Sequence, residues 1–333
     1  MSLPIEQPSR FRALEEARAS CRRDPSLTNT TRLWELRHSL ADEIRRGILA
    51  PGPLPAPPPY TGQRHRLAGL PVAQAPVAPE TLRLALEQHS CVLVKRLATP
   101  AQARRLLDIA VKTYDAYDRF DRAVAAGDTP ETSEYYQIPA ALTPRAVNDR
   151  RYHRQYGGIV VHDAPLAGFE LCEFYSDHAI LAAIAACLGA RPVISDVKTV
   201  VRKGDPASTV RHVFHQDGLF LHHRSINIWL SLTGAGIDAP GLELLPHNIG
   251  TFERAGGPGS VLPYEVLCRS VYDKYGEDAF WRPAFEPGDA MIFNERCLHR
   301  THVTSAMSRD RYALETWFFA PDDAYEDTDL YYV

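Results

Sequence analysis

His215 and Asp217 stand two residues apart in the stretch VFHQDG, within an apolar and aromatic neighbourhood. In an extended strand side chains alternate between faces, so this spacing turns the imidazole and the carboxylate to one side and Gln216 to the other. An ionisable pair that faces a protein interior costs free energy unless something satisfies it. A divalent metal would do so.

Two ligands hold a catalytic metal poorly, so a third is expected from another strand. The segment EPGDAMIFNERCLHRTH supplies a candidate: Pro287 and Gly288 suit the middle of a type II turn, AMIF reads as a strand, and His299 follows its end. Two histidines and one carboxylate on one face of an octahedron leave the opposite positions open, which is the arrangement of non-haem Fe(II) oxygenases. The H-x-D pair alone is a weak pattern in a chain with 13 histidines. Its weight depends on the elements that carry it.

Those elements are short strands. PVISDVKTVVRK, VRHVFHQD, INIWLSLTG, GLELLP, AMIFNERCLH and RYALETWFFA are β-branched or aromatic and are separated by Gly, Pro or Asp turns. Such a series predicts a sandwich, barrel or jelly roll. Upstream, a helix leads into the strand CVLVK, and a second helix opens at Thr99 and Pro100, an N-cap residue followed by proline in the first turn. The apolar run AILAAIAACLGA, 179–190, reads as a buried helix ended by Gly189. Residues 1–78 read as a helical N-terminal extension, with helices over 9–22 and 31–48 and the proline-rich linker APGPLPAPPPY, and 79–333 as the globular domain.

Bulk properties narrow the partners. A formal charge of −4 and a pI near 6.4 give no pull toward nucleic acid or anionic membranes, so a small molecule is the expected partner. The N-terminus has no apolar h-region, and the 179–190 run is too short to span a bilayer, so a cytoplasmic location is expected. Six scattered cysteines with no C-x-x-C pair read as isolated thiols, and Cys297 as a small buried hydrophobe.

The runs FHQDG, INIWLSLTGAGIDAPGLELLPHN and EPGDAMIFNERCLHRTHVTSAMSRDRYALETWF together resemble the phytanoyl-CoA dioxygenase family of iron- and 2-oxoglutarate-dependent oxygenases, over about the last 250 residues. The shared order is H-x-D, a tryptophan-bearing strand, a proline turn, a Gly-Asp strand leading to a distal histidine, and an arginine about a dozen residues later. Here these fall on His215 and Asp217, Trp229, LLPHN, Gly288 and Asp289, His299, and Arg311. LLPHN departs from the PGSH often found in the family, retaining Pro246 and His247.

The resemblance implies a mainly β fold with flanking helices, built on a double-stranded β-helix (jelly roll, cupin-like) core with a helical N-terminal extension. It implies Fe(II) held by His215, Asp217 and His299, with 2-oxoglutarate and O2 as co-substrates. The family spacing selects His299 over His302. Arg311 would take the far carboxylate of 2-oxoglutarate, because a guanidinium binds carboxylates through a planar fork and stays charged. Arg309 has the same strand parity but belongs to a polar turn. On INIWLSL, alternation puts Asn227, Trp229 and Ser231 on the co-substrate face and Ile226, Ile228 and Leu230 outward against helices. Asp289 and His247 read as turn and loop residues, and His212, His222 and His223 as lying at the surface or behind the ligands. With Asp217 present, hydroxylation or another oxidation without halide is implied.

Substrate identity is less legible. The segment 131–158 combines aromatics with Arg145, Arg150, Arg151 and Arg154 and reads either as part of a lid whose arginine meets an anionic substrate group or as a solvated basic loop. Family breadth suggests a small molecule of a secondary-metabolite or amino-acid-derived pathway. Two other classes remain: a metal-dependent hydrolase using the same three ligands, and a non-catalytic jelly-roll binding protein. The N-terminal extension could also build an oligomer contact.

Overall fold

The computed structural model describes residues 7–52, 54, 69–138, 150, 152–176, 178–195, 198–208, 210, 212–324 and 330–333. Two helices, α1 (Gln7–Arg23) and α2 (Leu27–Arg45), come first, then strand β1 (Val72–Gln74), α3 (Pro79–His89), β2 (Cys91–Lys95) and the long α4 (Pro100–Ala126). Next come β3 (Gly158–Val160), α5 (Pro165–Ser176), α6 (Ile180–Leu188), β4 (Val193–Ser195) and β5 (Val200–Gly204). The short α7 (Gly218–Leu221) precedes β6 (Ile226–Ser231), β7 (Gly241–Leu244) and α8 (Cys268–Tyr275). The chain ends with β8 (Ala290–Asn294), β9 (His299–His302), β10 (Arg311–Phe319) and β11 (Leu330–Tyr332).

Local sequence accounts for several boundaries. Thr99 accepts from the Gln102 amide while the Gln102 side chain reaches back to the Thr99 amide, a reciprocal cap that starts α4. Buried Leu106, Ile109, Ala110 and Thr113 then recur at helical spacing. Gly189 in the left-handed conformation ends α6. Gly288 turns the chain into β8 at φ +95°, and a Cβ there would come within 2.3 Å of the Ala98 carbonyl oxygen.

The strands form a large sheet in the order β1-β2-β8-β6-β10-β4-β11, with β5 also on β10 and β3 on β5. A small antiparallel sheet, β7 with β9, faces it. Isolated bridges join His215 to His299, Phe214 to Val266 and Leu244 to Trp281, widening the small sheet on both sides. The two sheets make a jelly roll, and helical residues outnumber strand residues because helices cover the outer face of the large sheet.

Strand parity sorts the core. Ile226, Ile228 and Leu230 of β6, with Ile292 and Leu314 on the flanking strands, pack against helix residues such as Leu82, Leu171 and Leu181. The other face of the same strands sends Trp229, Met291, Phe293 and Ala313 inward to meet Leu242 and Leu244 of β7. Helix α2 adds Leu33 and Leu40 to the outer cluster. Its buried Arg37 donates to the Tyr332 carbonyl at 2.7 Å and to Glu173 at 3.3 Å, tying α2 to β11 and α5. Among the described residues no single helix is long and apolar enough to cross a membrane.

One expected strand is absent among the described residues. Of those in VRHVFHQD, only Phe214 and His215 form isolated bridges, and Asp217 is already helical at φ −58°, ψ −34°. Buried Gln216 explains the break: its amide donates to the Thr251 and Arg296 carbonyls and its oxygen accepts from the Glu253 amide, which removes it from any ladder.

Candidate metal centre and its cavity

His215 and His299 pair directly across the small sheet, each backbone amide donating to the other's carbonyl at 3.0 Å. Their rings lie 4.3 Å apart. In each ring Nδ1 sits 3.0 Å from a carbonyl two residues back, Val213 or Cys297. A carbonyl only accepts, so Nδ1 carries the proton and Nε2 presents its lone pair. The helical turn at Asp217 brings Oδ1 to 3.6 Å from Nε2 of His215 and 3.8 Å from Nε2 of His299.

The three side chains therefore converge, with one ligand atom from each within 4.8 Å of the others. Metal–ligand bonds of about 2.0–2.2 Å set at right angles place neighbouring donors roughly 3 Å apart, so a small contraction closes this set on an ion. Both oxygens of Asp217 are buried without a hydrogen-bond partner. Burial, then the charge of Glu315, raises its pKa well above the ordinary carboxylate range. Burial pushes His215 down, and burial with His215 beside it pushes His299 further down, keeping both rings neutral. A buried acceptor with no donor and two neutral nitrogens form a set that a divalent cation satisfies.

His215 and His299 open onto a cavity of about 560 Å³ whose far wall is the inner face of β5, β6 and β10. Arg311, at the start of β10, is 4 % exposed, and its Nε and Nη1 have no partner. Its guanidinium carbon lies 5.0 Å from the centre of the Trp229 ring. Burial, then the charge of Arg202, pulls its pKa down to about 10. The opposite strand makes room for it: Gly204 is its ladder partner, and a Cβ on Gly204 would meet the guanidinium at 2.7–3.1 Å.

Rival residues separate by position. Arg309 is exposed and pairs with Asp238 at 3.0 Å. On β9, His299 and Thr301 line the cavity, while Arg300 turns the other way to Glu243, and His302 shares its parity. Asp289 is buried, accepts from the Arg96 and Glu286 amides and pairs with Lys95, fastening the turn to β2. His247 is exposed.

Of the remaining β6 residues, Trp229 lines the cavity, whereas Asn227 and Ser231 are not among its lining residues. Ser231 donates to the Thr233 carbonyl at 2.8 Å. Asn227 donates to Glu315 Oε1 at 3.0 Å, and Glu315 Oε2 takes Nε of Arg202 at 2.6 Å. Arg202 and Glu315 both line the cavity, as does His212. Strand parity on VVRKG could have pointed to Arg202. His212, expected at the surface or behind the ligands, instead lies on the wall, where burial, then Arg311 and Arg202, lower its pKa to about 4.

In the 131–158 segment, Arg145 and Arg151 lie outside the described residues. Arg150 is buried and grips Asp163 with two 2.5 Å bonds, so it serves the fold, not the cavity. Arg154 lines the cavity.

No family model and no curated protein matches the chain. Among solved structures, EctD from S. alaskensis, solved with 2-oxoglutarate and 5-hydroxyectoine, is 14% identical with a TM-score of 0.50, the match covering 74% of this chain and 77% of EctD. The two share one fold. The epimerase SnoN, solved with Fe3+, alpha ketoglutarate and nogalamycin RO, is 13% identical at a TM-score of 0.47, over 73% of this chain and 83% of its own. The non-heme monooxygenase ThoJ is 14% identical at 0.47, over 75% and 82%.

Proposed function

We propose that this chain is a non-haem Fe(II)- and 2-oxoglutarate-dependent dioxygenase that hydroxylates or otherwise oxidises a small molecule of a biosynthetic pathway, one carrying an anionic group. The observation that carries the reading is that His215 and His299, whose Nε2 atoms flank an orphaned buried carboxylate, open onto the same cavity as a buried arginine whose Nε and Nη1 have no partner. Fold sharing with EctD, itself solved with 2-oxoglutarate, adds to it.

In this reading His215, Asp217 and His299 hold Fe(II), and the bound metal supplies the redox chemistry that couples O2 and 2-oxoglutarate to substrate oxidation. The Val213 and Cys297 carbonyls fix both imidazoles as Nδ1–H tautomers, so the metal is met by lone pairs without a competing proton. Arg311 receives the distal carboxylate of 2-oxoglutarate through its open Nε and Nη1, with Trp229 as the flat surface beside it. Asn227 works one step removed, steadying Glu315 and through it Arg202, and Ser231 holds the end of β6. Trp229, Leu242 and Phe293 give the cavity an apolar patch, and the Phe293 ring lies 4.5 Å from that of His299. A hydrolase would have no use for the open fork of Arg311.

Anaerobic titration of metal-free protein with Fe(II) and then 2-oxoglutarate tests this through the visible charge-transfer band of the chelate. The band should be absent in His299→Ala and retained in His302→Ala. No band in native protein with iron shown to be bound would remove the assignment.

A further inference from the structure

Arg150 and Arg154 lie four residues apart on one helical turn before β3, and both reach toward Asp163. Arg150 takes that carboxylate in full, Nε to Oδ2 and Nη2 to Oδ1. Arg154 is left with Nη2 at 3.6 Å from Oδ2, outside hydrogen-bond distance, and its Nε and Nη2 are buried without a partner. Its guanidinium carbon sits 4.6 Å from the centre of the Tyr117 ring and 5.2 Å from that of Tyr136, which fixes its plane without neutralising it. Among the described residues no other carboxylate pairs with it. Two guanidinium groups thus share one carboxylate, leaving one positive charge over.

The cavity wall shows the same surplus. Arg202 is matched by Glu315 and Lys203 by Asp310. Asp205, the other carboxylate on the wall among the described residues, accepts from the Ala207 amide. Among those residues Arg154 and Arg311 remain as the wall's cations without a hydrogen-bonded carboxylate, and in the reading above the co-substrate occupies Arg311. A half-buried charge whose nearest carboxylate is shared and already hydrogen-bonded elsewhere is costly to hold, and a ligand anion is the complement that is missing. Tyr152 and Tyr156 line the same cavity and offer flat apolar surface next to the charge.

We infer that Arg154 is the binding site for an anionic group, a carboxylate or a phosphate-like oxyanion, on the primary substrate, separate from the co-substrate anchor Arg311. The assignment rests on the proposed oxygenase reading for what fills Arg311, while the charge surplus at Arg154 stands without it. Arg150 is then a positioning residue: by occupying Asp163 it keeps that carboxylate from closing on Arg154.

The test is a calorimetric titration of Ni(II)-loaded protein saturated with 2-oxoglutarate, using benzoate, phenylphosphonate and the neutral isostere benzamide as probes. Native protein should bind benzoate at least tenfold more tightly than benzamide. Arg154→Met should abolish that difference, Arg154→Lys should keep part of it, and Arg309→Met should leave it intact. Affinity for 2-oxoglutarate should change less than twofold in Arg154→Met, with a melt no lower than native. Equal affinity for the three probes, no benzoate binding by native protein, or a preference surviving in Arg154→Met would overturn the inference. Failure of 2-oxoglutarate to bind would instead strike the oxygenase reading, and the same titration without it still measures the Arg154 contribution as the difference between native and Arg154→Met protein.

Discussion

Replacing Gly204 by alanine isolates the geometry of the Arg311 anchor from the stability of the fold. The added Cβ would stand 2.7 Å from Nη2, 2.8 Å from Nε and 3.1 Å from Cζ of Arg311. Ordinary contact begins near 3.5 Å, so the guanidinium must retreat by about 0.8 Å. The atoms displaced are the far end of a flexible side chain, whereas the β5–β10 ladder around Gly204 is backbone and can stay in register. Gly204 has no left-handed φ to protect, and alanine in place of glycine within a strand favours folding by about 0.5–1 kcal/mol. A carboxylate meeting the shifted fork loses one of two charge-assisted bonds, about 1.5–3 kcal/mol. That is roughly a 10- to 150-fold rise in the dissociation constant for 2-oxoglutarate. The assay is the anaerobic Fe(II) titration followed in the visible band, with a thermal melt alongside. Affinity within twofold of native, with the melt unchanged, would refute the placement of the co-substrate carboxylate at Arg311. A collapsed melt would show that Gly204 serves the fold instead.

Three further outcomes follow from the same site. The depression of Arg311 from 12.5 to about 10 corresponds to about 3 kcal/mol of penalty for the buried charge. Both folded and unfolded forms are charged at neutral pH, so ligand-free Arg311→Met should melt a few degrees higher than native protein and lose stabilisation by 2-oxoglutarate; a lower melt would contradict this. His212 takes up a proton near pH 6.5 when unfolded but only near 4 when folded. The unfolded state therefore binds more protons between those values, and this stability, complete above pH 6.5, falls away by about 3 kcal/mol as pH drops to 4. Urea melts of His212→Asn should show a shallower loss over that window, and an unaltered slope would count against it. Glu315→Gln removes the charge opposite Arg202 and should destabilise by about 3–5 kcal/mol, the cost of stranding a buried cation; a melt within a degree of native would show that the cavity solvates Arg202 on its own.

Much of this centre is legible in residue order, though strand periodicity is not always the cause. His215, Asp217 and His299 do converge, yet the period of a strand explains only the first of them, since Gln216 breaks the ladder and Asp217 swings in on a helical turn. Arg311 and Arg309 share parity, and what separates them is burial, which depends on where the turn ends. Arg202 and Gly204 became meaningful only through register with a strand more than a hundred residues later. Arg150 and Arg154 are alike in sequence, and nothing local says which one Asp163 will take. Helix and strand types were legible wherever capping or alternation was strong, as at Thr99, Gly189 and INIWLSL. The mainly β description captures the core, whereas the helices around it carry more residues.

The two ends of the proposed co-substrate belong to different sheets. The proposed metal ligands ride on the small sheet and the turn beside it, and Arg311 rides on β10 of the large one. The large sheet is locked by many ladders and a covered outer face, while the small one has a single two-stranded ladder extended by isolated bridges. A dicarboxylate gripped at both ends would act as a cross-brace, transferring the rigidity of the thick wall to the thin one. Slow amide exchange in β7, β9 and the bridges at Phe214 and His215 would then report occupancy of the cavity, because local opening of the thin wall would require letting go of the ligand.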